Sequence, residues 1–221
     1  MFWVTEFSVT LFNLNSSHPA WARCCKSYTS KVGNIKLKDT KLAILTGAAG
    51  EVGKASARQF SDEGWSLLLC DQSEDVVVQA EALAKEFDRT CLGIKMDLSI
   101  DAEIERVTSI ASDLNIPVRF LGLIAAVNQK AFAIEDMKSM ETWDWLMSIN
   151  LRANVKFIAE TVPMLRKAGG ASIVTVSSYW GREGHPYFSA YCASKSSTDI
   201  TDTECSCRTG TRHQSQFRGT G

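Results

Sequence analysis

From Lys41 onward two hydrophobic spacings alternate along the chain. Short apolar runs, "KLAILTG", "WSLLLCD", "CLGIKMD", "FLGLIAAV" and "ASIVTVSS", predict β-strands. Between them, "EVGKASARQFSDEG", "EDVVVQAEALAKEFD" and "DAEIERVTSIASDLN" have the three-to-four spacing of helices, and a longer helical pattern runs from about Met140 to Lys167. Stops fall where they should: Gly64, the residues before Pro117, and the Gly169-Gly170 pair. Strands regularly separated by helices require parallel pairing through right-handed crossovers, so the expected fold class is α/β, a doubly wound parallel sheet with helices on both faces. Beyond Lys195 the pattern is lost, and between Ser196 and Gly221 the only large apolar side chains are Ile200 and Phe217.

This divides the chain into an N-terminal extension over 1–38, expected to be disordered, a single domain over 39–200 and an irregular tail over 201–221. With 221 residues and 45% hydrophobic content there is material for one core and too little for two. The 24 basic and 25 acidic residues nearly cancel, which removes the electrostatic case for nucleic acid or an anionic membrane surface and leaves a small molecule as the expected partner. No apolar run approaches the roughly 20 residues of a spanning helix. The extension is poor in acidic residues, but Arg23 is its only arginine, so organellar targeting is a weak reading and a cytoplasmic protein is expected. Seven cysteines suggest no disulfide framework: Cys70 and Cys91 lie in strand-like runs as core residues, and Cys205, Cys207 and His213 lack the second pair that would complete a metal site.

Candidate chemistry begins at "TGAAGEVG", Thr46 to Gly53, between the first strand and the first helix. Glycines there let the backbone turn tightly and approach a pyrophosphate, while the helix start offers unpaired N–H groups and a positive dipole end. A phosphate-cradling P-loop is the competing reading of "AAGEVGKAS", but it needs glycine at 48 and Ser or Thr at 55, where Ala48 and Ala55 stand. Asp71 closes the second strand, 24 residues after Gly47. A carboxylate there accepts hydrogen bonds from the ribose hydroxyls of an adenosine and repels a 2′-phosphate, pointing to NAD rather than NADP.

Three more elements complete a pattern. "YCASK" supplies Tyr191 and Lys195 one helical turn apart, Ser177-Ser178 lies 13 residues before the tyrosine, and "INLRANVKF" carries Asn150. Together with the glycine loop these make the chain resemble the short-chain dehydrogenase/reductase family, with TGxxGxxG and YxxxK forms in the family's order, from about Leu37 to Lys195. The resemblance implies a Rossmann fold and hydride transfer between a nicotinamide and a secondary alcohol or ketone. It implies that Tyr191 exchanges the proton, Ser178 holds the substrate oxygen, Lys195 lowers the phenol's pKa and holds the nicotinamide ribose, and Asn150 maintains a water-linked proton route. Cofactor contacts are implied at Gly47, Gly50, Glu51, Val52, Gly53, Asp71, Asp97, Leu98, Ala126, Tyr191 and Lys195, with no metal.

Two departures qualify the match. The family's NNAG after the fourth strand is replaced by Ala125, Ala126, Val127 and Asn128, so the Asn128 side chain is expected to crowd the site or shift the loop and weaken cofactor binding. The segment "SSTDITDTECSCRTGTRHQSQFRGTG" supplies none of the family's later strands, and the sequence reads as a truncated or frame-shifted version. That leaves Ile173 to Val176 as a bare strand edge and weakens the family's homo-oligomer interface. A non-catalytic dinucleotide-binding module is the alternative reading. "WGREGHPYFSA" is expected to line the substrate pocket, with Tyr187 and Phe188 favouring an apolar substrate and His185 an ordinary loop residue rather than a base.

Overall fold

The computed structural model describes residues 9–11, 40–198 and 214–216 of the chain. The elements in chain order are β1 (Val9–Leu11), β2 (Leu42–Thr46), α1 (Glu51–Asp62), β3 (Ser66–Asp71), α2 (Asp75–Phe87), β4 (Cys91–Lys95), α3 (Asp101–Asp113), β5 (Val118–Leu123), α4 (Glu141–Met147), α5 (Ala153–Lys167), β6 (Ser172–Val176), α6 (residues 189–198) and β7 (Gln214–Gln216). All five strands read from the apolar runs form, and they pair in parallel in the order β4-β3-β2-β5-β6.

Strand periodicity sorts the side chains into two cores. Leu42, Ile44, Leu68, Cys70, Leu121 and Ile173 face α3 and α5, where Ile104, Val107, Phe157 and Leu165 meet them. The alternate residues Ala43, Leu45, Leu67 and Leu69 face α1 and α2, against Ala57, Val76, Ala80 and Leu83. Each central strand is therefore wholly buried, which is why its sequence reads as a continuous apolar run. Cys70 and Cys91 are core residues as expected, and burial pushes both thiols up to about 12. Cys205, Cys207 and His213 lie outside the described residues.

Three local expectations are corrected. The apolar run "FLGLIAAV" stops being a strand at Leu123, because its neighbour β2 ends opposite it at Thr46; Ala125 N–H turns instead to the Thr46 hydroxyl at 3.3 Å. The helical region from Met140 to Lys167 is interrupted: Ser148–Arg152 is a π-helical turn between α4 and α5. Such turns insert one residue into the ladder and re-aim the side chains around them; here the side chain re-aimed is Asn150. Finally, β6 does not end the sheet. Val9–Leu11 pairs antiparallel with Val174–Val176, and Gln214–Gln216 pairs antiparallel with Val9–Leu11 in turn. A β-branched edge offers a row of unsatisfied N–H and C=O groups that any short extended segment can take up.

Surface ion pairs tie neighbouring helices: Arg58 to Glu86 between α1 and α2, and Lys156 to Glu105 between α3 and α5. They are exposed and contribute little to stability. Among the described residues no helix is long and apolar enough to cross a membrane.

Candidate active site

The strand order reverses between β2 and β5, so the loops leaving their C-terminal ends part and leave a crevice. A cleft of roughly 480 Å³ lies there. It is lined by Gly47, Gly50, Glu51, Val52, Gly53, Asp71, Asp97, Leu98 and Ala126, every residue expected to touch cofactor except Tyr191 and Lys195. The three glycines differ in what requires them. Gly47 has φ +65°, and a Cβ on it would stand 2.8 Å from the Ala125 backbone; one on Gly53 would stand 2.1 Å from the Gly47 carbonyl oxygen. Both are demanded by the protein's own packing. Gly50 would bring its Cβ no closer than 3.4 Å to anything, so its bareness serves the cleft.

The cleft is acidic. Among the described residues, Glu51, Asp71, Asp75 and Asp97 line it and no Lys or Arg does. The Asp71 carboxylate accepts from Ala49 N–H at 2.9 Å and from Ser73 N–H at 3.0 Å, which pins the glycine loop to the end of β3. Asp97 accepts from Ser99 N–H and hydroxyl at 2.8 and 2.7 Å. A flat cradle with glycine at its floor, the unpaired first-turn amides of α1 and a carboxylate at the far strand end fits a dinucleotide. Asn128 does not crowd it: its side chain folds back to accept from Gln129 N–H at 2.8 Å, is exposed, and lies outside the lining.

The other four expected residues gather beside the cleft, joined to it through Val127 and Val176, both of which line it. Asn150, fully buried, clamps Val127 with two hydrogen bonds, accepting from its N–H at 2.8 Å and donating to its carbonyl at 2.9 Å. Lys195, only 2% exposed, donates to the Val176 carbonyl at 2.7 Å. Its ammonium lies over the Tyr191 ring, 5.8 Å from the centroid. The Ser178 hydroxyl lies beside the Tyr191 phenol and favours its ionised form.

The expectation that Lys195 lowers the phenol's pKa is corrected by this placement. Burial raises the Tyr191 pKa above its ordinary value, the Ser178 hydroxyl acts against it, and the nearby Cys192 adds to the rise. One of the three ammonium protons goes to the Val176 carbonyl. Burial also brings Lys195 down, to about 8. The site thus holds a neutral phenol at pH 7, a form suited to giving up a proton.

Sequence reasoning missed two residues here. Ser194 is fully buried, accepts from the Asn150 amide at 3.0 Å and donates to the Tyr191 carbonyl at 2.8 Å. Its position inside "YCASK" was the available signal. Gln129, 6% exposed, accepts from Tyr191 N–H at 3.2 Å and donates to the Tyr187 carbonyl at 3.0 Å. Nothing in the sequence marks it. His185 stacks on Trp180 at 4.0 Å, and Trp180 also packs on Phe188 and, edge-on at 6.0 Å, on Tyr191. An aromatic wall therefore stands beside the phenol.

Comparison with known proteins gives this geometry a family. A 3-oxoacyl-(acyl-carrier-protein) reductase of Thermotoga maritima is 30% identical over 159 residues, covering 70% of this chain and 62% of that protein. Among solved structures, the alcohol dehydrogenase of the archaeon Thermococcus sibiricus, complexed with 5-hydroxy-NADP, superimposes with a TM-score of 0.72 at 20% identity over 78% of this chain and 72% of that one. A short chain dehydrogenase/reductase of Burkholderia phymatum in complex with NAD gives 0.68 at 25% identity over 76% and 59%. The chain spans about three fifths of the length of the curated relatives it matches. Residues 41–203 match the family described as short chain dehydrogenase, and with most of its length inside that match the chain belongs to this family.

Proposed function

We propose that residues 39–200 bind NAD(H) in the acidic cleft and transfer hydride between it and a secondary alcohol or ketone held at Ser178 and Tyr191. The observation that carries this reading is the Ser178 hydroxyl beside the Tyr191 phenol and a buried Lys195, with Ser178 two residues beyond the cleft-lining Val176. The nicotinamide, when bound, supplies or accepts the hydride. Tyr191, neutral at pH 7, gives its proton to the carbonyl oxygen as the carbon gains hydride, and takes it back in the reverse direction. Ser178 donates a hydrogen bond to the same oxygen and fixes it in line. Trp180 and Phe188 exclude water from one side and favour an apolar substituent. Asn150 and Ser194 hold the backbone on which Tyr191 rides.

Replacing Tyr191 by Phe keeps the ring and removes the transferable proton. Turnover with a panel of secondary alcohols and ketones is expected to fall about 10²–10⁴-fold, the usual worth of a positioned acid–base group. NADH binding should stay within threefold, since the phenol lies outside the cleft lining. Turnover that survives the substitution would remove Tyr191 from the role, and a natural chain that binds NADH but turns over nothing in the panel would favour a non-catalytic binding module.

The cofactor choice follows from charge. Two unit charges about 4 Å apart interact by about 4 kcal/mol at an effective dielectric of about 20, against about 1 kcal/mol for a typical net hydrogen bond. With Asp71 at the strand end and no cation among the described lining residues, a 2′-phosphate meets repulsion that none of those residues offsets. NADH is expected to bind at least tenfold more tightly than NADPH in fluorescence titrations, and equal affinities would contradict the assignment.

A further inference from the structure

The geometry points to Gln129 as a positioning residue that sets Tyr191 in place from the wall of the cofactor cleft, an inference that rests on the function proposed above. Gln129 is 6% exposed, and both ends of its carboxamide are used: Oε1 accepts from Tyr191 N–H at 3.2 Å and Nε2 donates to the Tyr187 carbonyl at 3.0 Å. The acceptor end caps the first turn of α6, where N–H groups lack helical partners. The donor end fixes the residue that delivers the chain into that helix. Tyr187 has φ +69°, a left-handed conformation unfavourable for an aromatic residue, so its backbone needs outside support. Phe132 N–H also reaches the Tyr187 carbonyl, at 3.3 Å.

The same loop holds the other end of the Tyr191 peptide unit. Val127, two residues before Gln129, is clamped by Asn150; the Asn150 amide donates to Ser194, and the Ser194 hydroxyl donates to the Tyr191 carbonyl. Val127, Asn150, Ser194, Tyr191 and Gln129 thus close a ring of hydrogen bonds. Ala125, Ala126 and Val127 line the cleft, so whatever fixes that wall fixes the backbone of Tyr191 as well. Only a side chain that accepts and donates at once both closes the ring at Tyr191 N–H and holds the Tyr187 carbonyl outside it. Glutamate keeps the acceptor toward Tyr191 but places a carboxylate against the Tyr187 carbonyl, and protonation of that carboxylate restores the donor.

The test uses Q129A and Q129E in the full chain. For Q129A, kcat is expected to fall at least tenfold with NADH affinity within threefold of the natural chain, and amide exchange across residues 188–195 to accelerate at least tenfold while β2–β5 are unchanged. For Q129E, kcat divided by that of the natural chain at the same pH should rise at least fivefold between pH 8 and pH 5.5. A loss through general unfolding would give no such recovery. A pH-independent ratio, or unchanged exchange at 188–195 in Q129A, would overturn the proposal. If the natural chain turns over no substrate, the function proposed above fails, and exchange alone decides the positioning: faster in Q129A supports it, unchanged overturns it.

Discussion

Gly53→Ala is expected to destabilise this chain severely, while Gly50→Ala, three residues earlier in the same loop, leaves the fold intact and weakens cofactor binding. Helix propensity alone argues the opposite for the first, since alanine in α1 gains about 1 kcal/mol over glycine. Sterics decide it. The new methyl would stand 2.1 Å from the Gly47 carbonyl oxygen and 2.6 Å from the Ala48 Cα, both backbone atoms that no rotamer change can move aside. Overpacking of well-packed sites costs about 1–3 kcal/mol when side chains yield and more when they cannot, against a typical total stability of about 5–15 kcal/mol. Gly50 has φ −75°, which any residue adopts, and its Cβ would make only ordinary contact, but it stands on the cleft wall. Thermal melts should separate the two: a cooperative transition near that of the natural chain for Gly50→Ala, and a loss of at least 3 kcal/mol for Gly53→Ala. NADH affinity of Gly50→Ala should fall at least tenfold. A well-folded Gly53→Ala, or a Gly50→Ala that binds NADH normally, would mean that the two glycines have been assigned the wrong duties.

The sheet was legible because its information is local: each central strand is buried on both faces and reads as an apolar run, and each helix repeats on its own spacing. The site residues were legible because chemistry fixes their spacing, Tyr191 and Lys195 by one helical turn and Asp71 by one strand–helix–strand unit. What escaped reading depends on partners far along the chain. Gln129 bonds to residues 58 and 62 positions away, and Asn150 to one 44 positions away, contacts that leave no periodic trace. The raised pKa of Tyr191 was misjudged for a related reason. Sequence places an ammonium one turn from the phenol but does not say that the Val176 carbonyl claims it. β7 carries no strand signal of its own, β1 lies in the short alternating run "FSVTLF" inside the extension expected to be disordered, and both form against an edge that the strong β-pattern of β6 supplies.

Lys195→Met is expected to make the chain more stable at pH 7 while abolishing turnover. The side chain is 2% exposed, and burial holds its pKa near 8 rather than the ordinary 10.5. A folded-state pKa below the unfolded one means that the unfolded chain binds more protons between these values, so stability rises as pH rises through that window. Below about pH 8 the full cost of burying the ammonium is present, roughly 3 kcal/mol at 1.36 kcal/mol per pH unit. Methionine has a similar reach and no charge, and forgoes the ammonium's hydrogen bond to the Val176 carbonyl, worth about 1.5–3 kcal/mol for a charged donor. The net gain at pH 7 is therefore up to about 1.5 kcal/mol, and it should shrink steadily in urea melts repeated between pH 8 and pH 10. A variant that is less stable than the natural chain at pH 7, or a difference that does not change with pH, would show that the ammonium is better solvated than its burial implies. Stability gained with activity lost is the signature of a charge held in the fold for its chemistry rather than for its packing.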